Sequence, residues 1–340
     1  MTGIVAITGS GGFIGAAAAR HYLAAGWQVR GLDRPGVSQP DGITAITGSV
    51  TDDAAIASLV AGASLVVHTA ALVAESGDWT QFHELNALAP RRVALAARAA
   101  GARSFVHLSS VMVHGFTYPD GSDEGAAFNP ANNPYCWSKI NSEYQLRGLD
   151  EPGTFAVHIV RPGDVYGPGS VPWVVRPVEH MRSNTFLYVD PRKSVINHLY
   201  IDNLIDAIDA VVAAGDRMSG VPVIVTDGER TLSGDYFGWF AGKVGNHRHP
   251  TLPGWLAEPA VGALGWALPQ RLSTALDLDR QSIRYLRRRG TFCIDRIRSL
   301  GWQPGIDLHE GRLRTAEWLA TEGLIAPLGA TQPPRRTVVT

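Results

Sequence analysis

The 340-residue sequence has only two cysteines, Cys136 and Cys293, and they form neither a CxxC pair nor a disulfide framework. It also lacks an excess of charge of either sign, because 31 acidic residues offset 30 basic ones. The scarcity of cysteine argues against a disulfide-stapled secreted scaffold and fits a reducing compartment, so we expect a cytoplasmic protein. The balanced charge provides no electrostatic footprint for a polyanion, so we expect no nucleic-acid partner.

The sequence contains no long uninterrupted apolar run either. Met1–Ile7 has no basic region and leads into a glycine turn, which predicts a strand rather than a signal peptide. The apolar stretch 255–268 is interrupted by Glu258 and is shorter than the roughly 20 residues of a membrane span, so we expect no stable membrane insertion. We interpret it as a helix over an apolar pocket, with peripheral membrane contact as the alternative. His247 and His249 have no third ligand at a suitable spacing, which predicts no metal site.

Short apolar runs recur along the chain and predict buried strands of a parallel sheet. They cover Ile4–Thr8, Gln28–Asp33, Ile43–Thr47, Ser64–Thr69, Ser104–Ser109, Phe155–Arg161 and Val221–Val225. Helical segments such as Phe13–Ala25 and Asn86–Ala100 lie between them, and each ends at a glycine that can adopt a positive φ. Because strands alternate with helices, the sequence predicts an α/β doubly wound, parallel-sheet Rossmann fold.

The strand and helix alternation weakens after residue 167, where proline, glycine and tryptophan become frequent. We therefore predict that residues 1–167 and about 196–227 form the dinucleotide-binding domain. Residues 168–195 and 228–330 are predicted to form a smaller substrate-binding lobe. Residues 331–340, with two prolines and two arginines, are predicted to be a flexible tail.

A glycine-rich turn follows the first strand, where Gly9, Gly12 and Gly15 have GxxGxxG spacing at the start of a helix. Side chains there would keep the backbone amides away from a pyrophosphate, which the helix N-terminus stabilises. The second strand ends at Asp33, where a carboxylate can accept hydrogen bonds from a ribose diol. Asp33 would repel a 2′-phosphate, whereas the neighbouring Arg34 could hold one. The predicted cofactor is NAD, with NADP as the less favoured alternative.

Further residues at the start of the first helix and at strand ends are placed where a dinucleotide would pass. This predicted cofactor set comprises Phe13, Ile14, Ser49, Val50, His68, Ala70 and Ala71. The alternative interpretation of His68 is a packing residue at the end of a buried strand.

Tyr135 and Lys139 are four residues apart in a helix predicted to start after Pro134, so both project from one helix face. A phenol has a pKa near 10, which is poorly matched to proton transfer at neutral pH. A nearby ammonium group and a positive nicotinamide ring favour the phenolate and lower that pKa. Upstream, Ser109 and Ser110 end a strand, and we predict that Ser110, ahead of Ser109, holds a substrate oxygen near Tyr135.

These motifs and their order resemble the extended short-chain dehydrogenase/reductase superfamily over essentially the whole chain. The matching phrases are TGSGGFIG (8–15), HTAA (68–71), NALAPRR (86–92), SSVMVHG (109–115), YCWSK (135–139), RPGDVYGPG (161–169) and LYIDNL (199–204). The resemblance implies a Rossmann fold, a nicotinamide cofactor and oxidoreductase chemistry. It also implies a homodimer, because such proteins commonly pair through two helices of the main domain.

The same resemblance implies a role for individual residues. Ser110 would orient the substrate oxygen, Tyr135 would act as the acid and base, and Lys139 would support it. Asn86 would help to order the active site. The resemblance also extends the cofactor-binding set, which then includes Ser109, Tyr135, Lys139, Pro162 and Val165.

Two positions depart from the nucleotide-sugar epimerases and dehydratases of this superfamily. These enzymes usually carry an Asn in an RxxNxYG-like phrase that helps to bind the sugar diphosphate. This chain has Asp164 there, and we expect its carboxylate to repel such a group. An arginine before their V-D-D-like phrase corresponds to Ile196. The phrases at 161–169 and 199–204, with the late TDGE at 226–229, instead resemble the 3β-hydroxysteroid dehydrogenase branch.

Several side chains beside the motifs are predicted to line an apolar substrate pocket. They are Val73, Met112, Val113, Trp137, Asp164, Trp173 and Phe186. The leading hypothesis is therefore reversible hydride transfer between NAD and a hydrophobic secondary alcohol, such as a sterol or another cyclic alcohol. The alternatives are a nucleotide-sugar epimerase or dehydratase with tightly bound NAD, and a noncatalytic dinucleotide-binding protein.

Overall fold

The computed structural model describes residues 3–74, 76–246, 249–257, 259 and 280–327. In this part of the chain, seven strands form one parallel sheet in the order β3-β2-β1-β4-β5-β6-β11. They are β1 (Ile4–Thr8), β2 (Gln28–Asp33), β3 (Thr44–Thr47), β4 (Ala63–His68), β5 (Ser104–Leu108), β6 (Ala156–Pro162) and β11 (Pro222–Val225). The strand order reverses direction between β1 and β4, which opens a crevice at the carboxyl ends of the strands. The predicted doubly wound Rossmann fold is confirmed.

Helices cover both faces of the sheet because side chains alternate between the faces along each buried strand. Val5 and Ile7 of β1 belong to the hydrophobic core on one face, and Ala6 between them belongs to the core on the other. The helices are α1 (Phe13–Ala24), α2 (Asp53–Val60), α3 (Trp79–Phe82), α4 (Ala89–Ala99), α5 (Pro134–Arg147), α6 (Arg176–Arg182), α7 (Ile201–Ala214), α8 (Ser233–Val244), α9 (Arg280–Leu286), α10 (Asp295–Arg298) and α11 (Leu308–Thr321).

Shorter elements complete the described chain. Three small two-stranded pairings join β7 to β10, β9 to β12 and β8 to β13. These strands are β7 (Asp164–Tyr166), β8 (Tyr188–Val189), β9 (Val195–Ile196), β10 (His198–Tyr200), β12 (Thr231–Leu232) and β13 (Thr251–Leu252). Single helical turns of 3₁₀ or π type occupy Val111–His114, Val171–Val175, Gly215–Met218 and His83–Leu88.

The helix predicted over Asn86–Ala100 differs from the observed one. A π-helical turn at His83–Leu88 precedes α4, which begins only at Ala89. Pro90 has no N–H to donate to the carbonyl of Asn86, so regular α-helical bonding cannot run through this point. The widened turn places Asn86 in the protein interior, where it is 1% exposed.

The region predicted to form the substrate lobe packs on the same core as the sheet. Trp173, Phe240 and Leu319 from that region join the hydrophobic cluster that contains Val5 and Ile7 of β1. The division into a cofactor domain and a substrate lobe stays a prediction. The predicted tail at 331–340, residues 247–248 and most of the apolar stretch 255–268 lie outside the described residues.

Within the described ranges, we find no helix with the length and apolar character needed to cross a bilayer.

Candidate functional site

A cavity of about 470 Å³ lies at the carboxyl ends of the central strands, where the strand order reverses. This volume is in the range typical of small-molecule sites. Many of the residues singled out in the sequence line it. They are Gly9, Gly12, Phe13, Ile14, Gly15, Asp33, Arg34, Ser49, Val50, Ala70, Ala71, Val73, Ser109, Ser110, Met112, Tyr135, Lys139, Pro162, Val165 and Trp173.

The glycine turn between β1 and α1 forms one wall of this cavity. Gly9 has a φ of +68°, a conformation that favours glycine. A Cβ atom on Gly15 would lie 2.0 Å from the carbonyl oxygen of Gly9, so only glycine allows this close packing. Gly12 precedes α1, no side chain caps the helix, and the first helix residues line the cavity, so the uncapped N-terminus is available to an anion there.

Asp33 ends β2 beside the glycine turn and is fixed by two backbone amides. Its carboxylate accepts hydrogen bonds from the N–H of Gly11 at 2.9 Å and from the N–H of Arg34 at 2.8 Å. The carboxylate therefore has a defined position at the cavity wall next to Arg34. These features, with the glycine turn, fit a bound dinucleotide whose pyrophosphate lies at α1 and whose ribose lies near Asp33.

Helix α5 positions the tyrosine and lysine. Asn133 precedes the helix and its side chain accepts a hydrogen bond from the N–H of Cys136 at 3.0 Å, while Pro134 occupies the first turn. The Nζ atom of Lys139 lies 5.8 Å from the centre of the Tyr135 ring. Both side chains line the cavity from the same helix face.

Lys139 is almost completely enclosed, with 4% of its surface exposed. Its ammonium group donates a hydrogen bond of 2.7 Å to the carbonyl oxygen of Leu108, at the end of β5. Burial lowers the pKa of Lys139 to about 8, and the nearby Glu143 carboxylate opposes this shift. Lys139 is therefore charged at neutral pH and loses its charge at mildly alkaline pH.

A lysine with a lowered pKa makes stability depend on pH. Burial disfavours the charged form of Lys139 in the folded state and thereby lowers the free energy of unfolding. This loss is complete below pH about 8 and disappears as pH rises toward the unfolded pKa near 10.4. We expect the free energy of unfolding of the wild type, relative to Lys139→Met, to increase by about 2 kcal/mol between pH 7 and pH 9.5. Urea unfolding at the two pH values measures this difference. An unchanged difference would show that Lys139 titrates normally.

Asn86 ties two parts of the site together. Its Oδ1 accepts a hydrogen bond of 2.7 Å from the N–H of Leu72, and its Nδ2 donates to the carbonyl oxygen of Leu72 at 2.8 Å. The same Nδ2 lies 3.2 Å from Oγ of Ser138, whose hydroxyl donates to the carbonyl oxygen of Tyr135. The Asn86 side chain therefore holds the 70–74 segment against α5, next to Tyr135.

The two adjacent serines have different surroundings. Oγ of Ser110 accepts a hydrogen bond from the N–H of Met112 at 3.1 Å, so its own proton can point to another acceptor. The hydroxyl of Ser109 donates to the buried carboxylate of Glu143 at 2.6 Å. Ser109 therefore has a structural partner, and Ser110 is the serine suited to hold a substrate oxygen.

Glu143 and Arg161 form a buried ion pair behind this wall that the sequence reasoning missed. Both oxygens of Glu143 accept hydrogen bonds from the Arg161 guanidinium, at 2.8 and 2.7 Å, and both side chains are at most 1% exposed. Glu143 lies one helical turn after Lys139 on α5, which could have suggested a shared face. No local pattern pointed to Arg161 as its partner.

Six predicted site residues do not line the cavity, namely Asn86, His68, Val113, Trp137, Asp164 and Phe186. His68 is 1% exposed, and its Nδ1 lies 2.9 Å from Oγ1 of Thr8, because β4 carries it into the core. Burial and the Lys139 charge lower the pKa of His68 to about 3, so its ring is neutral. Val113 belongs to the single helical turn after Ser110, and its side chain is completely buried. Trp137 projects from another face of α5 and packs on His83, with ring centres 5.2 Å apart.

The interpretation of Asp164 also needs correction. Asp164 is 1% exposed and does not face the cavity, because both of its oxygens bind the guanidinium of Arg288, at 2.9 and 2.8 Å. It also accepts hydrogen bonds from Tyr285 Oη at 2.7 Å and from the N–H of Asn197 at 2.8 Å. A carboxylate neutralised in this way does not repel an anionic ligand, so that argument against a nucleotide-sugar substrate was wrong.

The segment that supplies Tyr285 and Arg288 contributes to the site although no sequence motif marked it. Tyr285 lines the cavity together with Phe116, Pro172 and Trp173. Phe186, predicted for the substrate pocket, lines a second cavity that shares Tyr285 and Trp173 with the first. Among the described residues, no group of three or more His, Cys, Asp or Glu side chains is placed to hold a metal ion.

Comparison with known proteins gives relatives with several activities. A 2-alkyl-3-oxoalkanoate reductase of Stenotrophomonas maltophilia is 28% identical over 66% of this chain and 71% of the relative. A UDP-glucose 4-epimerase of Mycolicibacterium smegmatis is 28% identical over 92% of this chain and 97% of the relative.

The fold is shared with solved structures at lower identity. The dTDP-glucose 4,6-dehydratase DesIV of Streptomyces venezuelae, solved with NAD bound, superposes with a TM-score of 0.74 at 20% identity, covering 94% of this chain and 97% of that one. The model of the NAD dependent epimerase/dehydratase family matches residues 5–224. With the glycine turn, the tyrosine and lysine of α5 and the Rossmann sheet in place, the chain belongs to the NAD-dependent epimerase/dehydratase family, within the extended short-chain dehydrogenase/reductase superfamily.

Proposed function

We propose that this protein is an oxidoreductase that interconverts a hydrophobic secondary alcohol and its ketone with NAD as the redox partner. One observation supports this most strongly: Tyr135, Lys139 and Ser110 line the same cavity as the glycine turn at α1. This arrangement supports a mechanism in which a proton-transfer group, a cation that favours its charged form and a hydroxyl that orients the substrate oxygen act beside a bound dinucleotide.

The chain's own residues account for the proton and for the position of the substrate. Ser110 donates a hydrogen bond to the substrate oxygen and holds it near Tyr135. The Tyr135 phenolate accepts the hydroxyl proton of the alcohol as the carbon–oxygen double bond forms, and the phenol returns a proton in the reverse direction. The Lys139 ammonium, desolvated beside the ring, favours the phenolate. When bound, the nicotinamide supplies the acceptor for the hydride that leaves the carbinol carbon.

The lining of the cavity supports an apolar substrate. Val73, Met112, Phe116 and Trp173 line the same cavity as Tyr135. Such a lining stabilises an apolar ligand and fixes it with a few polar groups. A sterol-like or other cyclic alcohol fits this environment. The related 2-alkyl-3-oxoalkanoate reductase is, by its name, an enzyme of the same reaction class.

The proposal is tested by incubating the purified protein with added NAD and a panel of secondary alcohols, and with NADH and the matching ketones. We expect reduced cofactor to accumulate in solution in the first reaction and to be consumed in the second. Absence of turnover in both directions across sterol, cyclic and open-chain substrates would contradict an oxidoreductase.

A nucleotide-sugar epimerase is the second candidate, because the Mycolicibacterium smegmatis relative matches over nearly its whole length. Such an enzyme restores its cofactor within each cycle and therefore needs none added. Purified protein would then contain bound NAD and would convert UDP-glucose to UDP-galactose without net NADH. The proposed oxidoreductase instead requires free cofactor in proportion to product.

The position of Asp33 predicts a preference for NAD over NADP. Its carboxylate, held by two backbone amides, lies where a 2′-phosphate would meet a fixed negative charge. We expect Asp33→Asn to lower the ratio of kcat/KM for NAD to kcat/KM for NADP by about tenfold, because the repulsion disappears while Arg34 can still bind a phosphate. Asp41→Asn, at an exposed residue outside the cavity, is the control. An unchanged ratio in Asp33→Asn would place the cofactor ribose elsewhere.

A further inference from the structure

A second cavity of about 140 Å³ adjoins the first, and five of its lining residues are Phe, Tyr or Trp. Phe186, Tyr188 and Phe237 form it together with Trp173 and Tyr285, and the last two also line the main cavity. The ring centres of Phe186 and Phe237 are 5.4 Å apart, and those of Trp173 and Tyr285 are 5.5 Å apart. The two cavities therefore share one aromatic partition.

Asp164 and Arg288 hold the Tyr285 side of this partition in place. The hydroxyl of Tyr285 donates a hydrogen bond of 2.7 Å to Asp164, and the guanidinium carbon of Arg288 lies 3.8 Å from the centre of the Tyr285 ring. Arg288 and Asp164 are each 1% exposed and bind each other through two short hydrogen bonds. A ring held at its hydroxyl and on one face keeps its orientation, so the partition between the two cavities has a defined shape.

The charges behind the partition cancel. The Arg288 guanidinium, which could otherwise attract an anionic ligand, is paired with Asp164 inside the protein. In the side cavity, His180 and Thr185 hydrogen-bond to each other at 2.8 Å, and Arg176 also contributes to the lining. The remaining surface is dominated by aromatic and aliphatic carbon, which favours an uncharged apolar group.

We propose that the side cavity binds the neutral, apolar end of the substrate, beyond the Trp173 and Tyr285 partition, while the alcohol carbon lies beside Tyr135. This inference rests on the proposed oxidoreductase function. The substrate class is therefore a secondary alcohol or ketone with an extended hydrocarbon substituent on one side of the reacting carbon. The side cavity selects that substituent, and Ser110 and Tyr135 position the oxygen.

The test uses a homologous series of methyl ketones of increasing alkyl length, with NADH as the reductant. Each methylene that becomes buried is expected to raise kcat/KM about fourfold until the side cavity is full. A parallel series with a terminal carboxylate should show no such gain. A flat response to alkyl length, or selection of the carboxylate series, would overturn the proposal. If short ketones are reduced but length has no effect, the side-cavity inference fails while the proposed function stands.

Two variants assign the length dependence to this cavity. Leu187 lines the side cavity and is absent from the main one, so Leu187→Trp should lower kcat/KM for long ketones at least tenfold and leave short ketones unchanged. The matched control is Leu95→Trp on α4, because Leu95 is half-buried like Leu187 and lines neither cavity. Phe186→Ala should shift the optimum to longer chains. If neither variant changes the length dependence relative to the control, the apolar end binds elsewhere.

Discussion

Replacing Tyr135 by Phe is expected to lower kcat by two to four orders of magnitude, the usual contribution of a positioned acid or base. The substitution removes one oxygen and retains the ring, which contacts Phe82 edge to face at 6.5 Å. Affinity for NAD should change little, because the glycine turn and Asp33 belong to other elements. Steady-state kinetics for kcat and calorimetric titration with NAD measure the two effects separately.

The same helix offers a matched control. Tyr144 is also in α5 but is 61% exposed and does not line the cavity, so Tyr144→Phe should retain full activity. Each variant loses one phenolic oxygen, and both tyrosines lie on the same helix. Comparable activity of Tyr135→Phe and Tyr144→Phe would remove Tyr135 from the mechanism, whatever the identity of the substrate.

Replacing Arg288 by Met is expected to lower the free energy of unfolding by about 3–5 kcal/mol, because it leaves a buried carboxylate without its counter-charge. Arg288 and Asp164 are each 1% exposed, so water cannot compensate for the missing guanidinium. The partition residue Tyr285 would also lose the cation on its ring face. Urea unfolding of wild type and variant at one pH measures the loss.

An exposed arginine provides the comparison. Arg314 pairs with Glu310 on α11 with 44% of its side chain exposed, so Arg314→Met should cost less than about 1 kcal/mol. The double variant Asp164→Asn with Arg288→Met removes both buried charges but keeps an acceptor oxygen for Tyr285 or Asn197, and it should recover part of the stability. If Arg288→Met costs no more than Arg314→Met, the buried ion pair does not hold this region together.

The parts of the fold that depend on local chemistry could be predicted from the sequence. β1 is a continuous, largely buried apolar run, and the predicted bounds of β1 and β2 match the observed ones residue for residue. The glycine turn was recognisable because Gly9 and Gly15 meet conditions of conformation and packing that other residues cannot meet. Tyr135 and Lys139 share a helix, which the Asn133 and Pro134 start signal supports.

The parts that depend on contacts between distant segments could not be predicted. Asp164 looked like a charge in the substrate site, and only the folded chain brings Arg288, 124 residues later, onto it. Trp137 lies in the sequence between Tyr135 and Lys139, which line the cavity. Its side chain projects from another face of α5 and packs on His83. Tyr285 follows no motif, since its place in the cavity wall comes from packing against Trp173 and Phe116.

The most direct test of the chemistry is the pH dependence of kcat/KM for alcohol oxidation in the wild type and in Lys139→Met. A charged Lys139, whose pKa is about 8, can favour the Tyr135 phenolate only while it keeps its proton. We therefore expect kcat/KM of the wild type to fall on the acid side with an apparent pKa below about 8. In Lys139→Met we expect this apparent pKa to move toward 10. An acid limb at the same pH in both proteins would contradict a proton transfer by Tyr135 that depends on Lys139.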